Sequence, residues 1–81
     1  PAIIDSLGWV LYHMGKHQAA LEQLRIAAAK LPEAEIIAHL GEVLWVTGNK
    51  SEAIEAWQSI LRDDPENTMI LETLQRLKVE L

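Results

Sequence analysis

The sequence contains no cysteine and no phenylalanine, and its aromatic residues are three tryptophans and one tyrosine in 81 residues. Without cysteine there is no disulfide, no thiolate metal ligand and no cysteine nucleophile. No apolar run approaches the roughly 18 consecutive residues that a membrane-spanning helix requires, and no signal-peptide pattern is visible at the start. Basic residues are also sparse: the seven Lys and Arg are scattered, none occurs before Lys16, and the formal net charge is -5. A protein that tracks a phosphate backbone needs a basic stripe, so nucleic acid is not an expected partner. The chain opens on Pro1 instead of methionine, and is therefore expected to be a piece of a longer protein.

What is present favours helices. Hydrophobic residues make up 49% of the chain; alanine and leucine dominate, while valine and isoleucine are scattered. This balance suits α-helix better than sheet. A chain this short buries only about 60% of its unfolded surface, so it is one domain, or part of one, with a thin core.

Slid along itself until Leu7 meets Leu40, the sequence falls into register. In that one alignment Gly8 meets Gly41, Val10 meets Val43, Leu11 meets Leu44, Gly15 meets Gly48, Ala20 meets Ala53 and Pro32 meets Pro65. A repeat of this length, long enough for two helices and their turns, marks a stacked architecture. Each copy reads as two helices, over about 2–14 and 17–30 in the first and 35–47 and 50–63 in the second. Gly15 and Gly48 stand where a helix ends in a left-handed residue. Asn49 followed by Glu52 has the spacing of a capping box, whereas Lys16 offers no cap. Gly8 and Gly41 fall inside helices and predict a close approach by the facing helix, with Ala20 and Ala53 as small partners. Trp57 takes a core position of its helix. The last segment carries Ile70, Leu71, Leu74, Leu77 and Leu81 at helical spacing, but Gln75 replaces the glycine. It reads as a capping helix closing the stack. The expected fold is all-α: a right-handed solenoid of five helices, with repeats over 1–33 and 34–67 and a cap over 68–81.

These residues resemble the tetratricopeptide repeat family: Leu7-Gly8, Gly15, Ala20, Leu24, Ala27 and Pro32, then Leu40-Gly41, Gly48, Ala53, Trp57, Ile60 and Pro65. The chain departs from the family pattern at Ile4 and Ile37, where an aromatic is usual, at Leu11 and Leu44, where tyrosine is usual, and at Ile60, where a small residue is commoner. The stretches "DSLGWVLY" and "AHLGEVLW" also look like the C-terminal repeats of larger bacterial cell-envelope lipoproteins of this family, some of which act as adaptors that deliver substrates to a periplasmic protease. That resemblance implies a cell-envelope location.

In the family the first helix of each repeat lines a concave face. The matching positions are Asp5, Trp9, Tyr12 and His13, then Ala38, Glu42, Trp45 and Val46, lying opposite a packing stripe of Leu7, Gly8 and Leu11. Trp9, Tyr12 and Trp45 either present aromatic surface to a partner or pack internally, Trp9 and Tyr12 against a preceding repeat and Trp45 against the last helix. Family members that grip a terminal carboxylate do so with cations; here Asp5, Trp9, Ala38 and Glu42 hold those places. The groove is thus expected to take a protein or peptide that is apolar, aromatic or basic, and not acidic.

Nothing in the spacing points to catalysis. His13 and His17 are separated by the helix-ending Gly15, and His39, Glu42 and His13 form a metal set only if the groove brings them together. No carboxylates pair as an acid and a base would, and Ser6, Ser51 and Ser59 lack a nucleophile motif. No cofactor or metal is expected, and no enzymatic activity. Two functions remain: a protein-recognition module working through the concave face, or a structural end-cap or dimerisation segment of a longer solenoid with no ligand of its own. In the second case the exposed apolar face around Ala2 and Ile3 would mediate stacking or self-association.

Overall fold

The computed structural model describes residues 2–81, with side chains from Ile3 onward; the expectation for Ala2 lies outside the described side chains. Five helices follow in order, α1 (Ala2–His13), α2 (His17–Lys30), α3 (Ala34–Val46), α4 (Lys50–Leu61) and α5 (Thr68–Leu77), with no strand among the described residues.

Three of these helices end in the same way. Gly15 has φ +80° and Gly48 φ +90°. The N–H of Gly15 donates to the Tyr12 carbonyl (3.0 Å) and that of Lys16 to Leu11 (2.9 Å), and Gly48 and Asn49 repeat the pattern onto Trp45 and Leu44. This paired arrangement satisfies carbonyls that the helix end would otherwise orphan. At α5 the left-handed position falls on Lys78, with φ 59°, and Lys78 and Val79 donate to Gln75 and Leu74. The last helix therefore stops at Leu77 instead of running on to residue 81.

The helix starts differ from expectation. Asn49 does not cap α4; its Nδ2 donates to Thr47 Oγ1 at 3.0 Å, which turns the side chain away from the helix. Asn67 does cap, its Oδ1 accepting from the Ile70 N–H at 3.1 Å.

The helices form two hairpins, α1 with α2 and α3 with α4. Helix α2 lies against α3, and α5 packs on α3 and α4. Helix α3 is thus central, and Ile36, Ile37, Ala38, Leu40, Gly41, Glu42, Val43 and Leu44 are all buried. A helix touched from several sides has no continuous solvent face.

Within each hairpin the interior glycine receives a large side chain, not a small one. A Cβ built on Gly8 would lie 2.8 Å from Leu24 Cγ, with the Ala20 carbonyl oxygen 3.4 Å away. On Gly41 it would lie 2.5 Å from Trp57 Cε2 and 2.8 Å from Cδ1. The glycines are sockets for Leu24 and Trp57, both fully buried, while Ala20 and Ala53 complete the seam. This corrects the small-against-small expectation: what approaches each glycine most closely is a side chain. The expected packing stripe is also broken at Leu7, which is half exposed; Gly8 faces α2 and its neighbour points elsewhere.

Candidate functional site

Helices α1, α3 and α5 stand in a row, and side chains reach across from each to the next. Between the first two, His39 Nδ1 lies 2.8 Å from Asp5 Oδ1. A carboxylate only accepts, so Nδ1 carries the hydrogen and donates it. Further along, the Tyr12 hydroxyl donates to Glu42 Oε2 at 3.0 Å. From the other side, Arg76 on α5 holds the same carboxylate with two nitrogens, Nη1 to Oε2 at 3.1 Å and Nη2 to Oε1. Glu42 is buried, and a buried carboxylate is tolerable only when its oxygens are paired. Two-pronged arginine binding meets that need.

The electrostatics follow from this arrangement. Tyr12 is pushed up to about 12, by burial first and then by its hydrogen bond to Glu42 and the nearby Glu42 charge. Ionising the phenol beside a carboxylate would place two negative charges together. Arg76 is held above its usual range, chiefly by the hydrogen bond to Glu42. Between the second helices, Arg25 pairs with Glu52 across α2 and α4, both side chains being largely solvated; the hydrogen bond from Arg25 lowers Glu52.

These pairings change the expected character of the groove. Asp5 and Glu42 were to be its free acidic groups, yet both are buried and bound to residues of their own chain. The reason is geometric: each lies where one helix meets the next, so a neighbour's donor reaches it before solvent does. Tyr12 is turned to Glu42 in the same way, toward the following hairpin. Ala38 is buried and forms part of the cleft lining. Trp45 is part-buried and packs against Trp57, ring centroids 5.8 Å apart, with the Lys50 ammonium 4.7 Å from its ring centre; both contacts are on α4 and not on the last helix. His13 is exposed at the edge of Trp9, and Val46 is exposed at the end of α3.

Trp9 remains available. Its indole stacks on the His39 ring, centroids 3.9 Å apart and planes 14° from parallel, and on Tyr12 at 5.0 Å. The Trp9–His39 stack forms one wall of a cleft of about 230 Å³. Met69, Thr73 and Arg76 supply the opposite wall, and Glu35 and Glu72 also line it. Both glutamates are exposed, and neither forms an ion pair among the described residues.

Sequence reasoning placed Trp9 and Ala38 in the groove but missed Glu35, Met69, Glu72, Thr73 and Arg76. Four of these belong to α5, which was read only as a cap. The signal was available: once Leu74 is laid on Leu40, Thr73 and Arg76 fall at His39 and Glu42, so the last helix continues the row of first helices. Of His13, His39 and Glu42, the last is taken up by Tyr12 and Arg76. Asp5, Glu35 and His39 do bring ligand-type atoms within 4.8 Å of one another, with Asp5 and His39 directed at each other.

No family model matches the chain. Over 42 residues, 52% of its length, it is 50% identical to a TPR repeat-containing protein of Pseudomonas aeruginosa, and that match spans 7% of the relative's length. That likeness joins a structure in which two helical hairpins of matching sequence each end their first helix at a left-handed glycine and seat a large side chain in a second glycine. Over about half of its length the chain is thus similar to a TPR repeat-containing protein, and its two hairpins carry the glycine positions of the repeat it resembles.

Proposed function

We propose that the groove along α1, α3 and α5 binds a segment of a partner protein, seating one large apolar side chain in the cleft with a basic residue beside it. Stacked helical hairpins create concave surfaces used in protein recognition, and the reading is one of a non-enzymatic interaction module. The observation that supports it is the cleft itself. Its floor and walls come from three successive first helices and combine the Trp9–His39 stack, the Met69 side chain and two solvent-exposed carboxylates, Glu35 and Glu72. Aromatic and methionine side chains at a concavity are the usual anchors of protein interfaces. With Asp5 and Glu42 already paired, the attraction for a basic group rests with the two rim glutamates. Arg76 adds no free cation for an acidic ligand, since its guanidinium grips Glu42.

An amide-shift titration tests this with peptides that carry tryptophan or leucine beside lysine, beside glutamate, or beside neither. Perturbation of Trp9, Ala38, His39 and Thr73 by the lysine peptides, weakened by Glu35→Lys and Glu72→Lys, is the expected result. Unmoved groove resonances with every peptide, or a preference for the glutamate series, would rule the reading out.

A further inference from the structure

Asp5 is a buried carboxylate that its neighbours leave half-served. Glu42, equally enclosed, takes three hydrogen bonds, one from Tyr12 and two from Arg76. Asp5 is 6% exposed and accepts a single hydrogen bond among the described residues, at Oδ1 from His39. A carboxylate has room for about four donors, and taking its charge out of water is costly unless that charge is met. What stands beside it is a second carboxylate. Glu35, four residues before His39 on α3, brings an oxygen within 4.8 Å of the Asp5 and His39 ligand atoms. Residues four apart share one face of a helix, so α3 presents Glu35 and His39 together to Asp5 on α1. Arg76, the one lysine or arginine in the cleft lining, is committed to Glu42.

We propose that Asp5, Glu35 and His39 hold one divalent ion of the zinc type where α1 meets α3. Two carboxylates and an imidazole suit zinc, which takes mixed nitrogen and oxygen ligands, better than magnesium or calcium, which favour oxygen alone. The geometry needs little change. Bonds of about 2.1 Å in a tetrahedron place ligand atoms about 3.4 Å apart. The His39–Asp5 contact of 2.8 Å therefore opens slightly, and the exposed Glu35 side chain closes in. The His39 ring is already held, stacked on Trp9 with planes 14° from parallel. Its hydrogen leaves Nδ1 when that nitrogen ligates, and the neutral ring then carries it on Nε2. Three protein ligands leave a fourth position open, and Glu35 and His39 line the cleft, so solvent reaches the ion from that side. The set is peculiar to this junction and is not repeated along the row. Between α3 and α5 the places of Asp5, Glu35 and His39 are taken by Ala38, Met69 and Thr73.

Zinc chloride alone is the probe, so the outcome does not depend on peptide binding in the cleft. Calorimetry on the 81-residue protein should give one ion per chain, with no binding heat from magnesium at the same concentration. Imidazole nitrogen shifts should show His39 passing its hydrogen from Nδ1 to Nε2. Glu35→Gln and Asp5→Asn should each weaken zinc binding at least about tenfold. Glu35→Gln should do so without moving the unfolding midpoint of the ion-free protein, since Glu35 is exposed and forms no ion pair among the described residues. His13→Gln combined with His17→Gln should leave the affinity in place. Absence of any zinc response at millimolar concentration would overturn the proposal, as would a response shared equally by magnesium. Binding that survives Glu35→Gln and fails in the double histidine variant would overturn it too, by placing the ion elsewhere.

Discussion

Gly41 and Trp57 occupy one another's space: the indole lies where a side chain of residue 41 would begin, within 2.5 Å of an ideal Cβ at its Cε2 atom. Trp57 is fully buried and cannot swing aside. Gly41→Ala should therefore lose stability, because overpacking of about 1–3 kcal/mol exceeds the gain of about 1 kcal/mol in helix propensity. Gly8→Ala meets Leu24 Cγ at 2.8 Å, also on a fully buried side chain, and should lose stability as well, but less than Gly41→Ala because a leucine repacks more readily than an indole. Trp57→Leu, combined with Gly41→Ala, should recover part of the loss. Urea midpoints of these three variants, of Trp57→Leu alone and of the parent complete the cycle, and equal effects at Gly8 and Gly41 would contradict the socket.

Tyr12 is the chain's single tyrosine, so its titration can be followed by ultraviolet absorbance alone. In the folded protein it should ionise near pH 12, against 10.0 for an unperturbed phenol. A raised folded value favours the protonated form, so its contribution to stability is complete below about pH 10. That contribution fades as pH climbs toward the folded value. Glu42→Gln removes both the carboxylate acceptor and its charge, and should move the midpoint down. A midpoint near 10 in the folded parent would mean that the Tyr12–Glu42 contact is absent in solution.

The two arginine–glutamate pairs should differ in worth. Arg25 and Glu52 are both largely solvated, and an exposed pair contributes under about 1 kcal/mol. Arg76 serves a buried carboxylate, so Arg76→Ala strands Glu42 and should cost about 1–3 kcal/mol. Arg76→Ala with Glu42→Gln should be less harmful than Arg76→Ala alone. Chemical denaturation distinguishes these cases, and equal losses at Arg25 and Arg76 would count against a buried tie.

Lys78 is a lysine in a left-handed conformation, φ 59°, where the first two hairpins use glycine. A side chain there is disfavoured by roughly 1 kcal/mol. Lys78→Gly should stabilise the chain by about that amount, less the entropy added to the unfolded state. Thermal unfolding would show a rise of a few degrees; a fall would mean that the lysine side chain makes a contact that outweighs the strain.

The helices and the two hairpin turns were legible because each depends on residues near in sequence and occurs twice. Gly15 and Gly48 mark the same left-handed corner, and Trp57 falls on a buried helical position by spacing alone. The ties across the row were not legible from any single copy. Asp5 and His39, like Glu42 and Arg76, stand far apart in the chain, and neither pair exists until one helix is laid beside the next. Gln75 drew attention as a break in the glycine pattern and hid the fact that Arg76, beside it, continues the row. The missing cap at Asn49 is of another kind: its Nδ2 donates to Thr47 Oγ1, which holds the side chain where its Oδ1 does not accept from the first N–H groups of α4.

The polar links also bear on how this body deforms. Along the first helices, successive members are joined by hydrogen bonds of fixed reach and direction, through Asp5, Tyr12, Glu42 and Arg76. The second helices α2 and α4 share one solvated ion pair, Arg25 with Glu52. Hydrogen bonds of fixed reach on the first-helix side set the spacing of those helices more closely than one solvated ion pair does on the other side. On the reading proposed above, a partner segment would meet a gap whose width these links set beforehand, with little ordering of the host left to oppose its arrival.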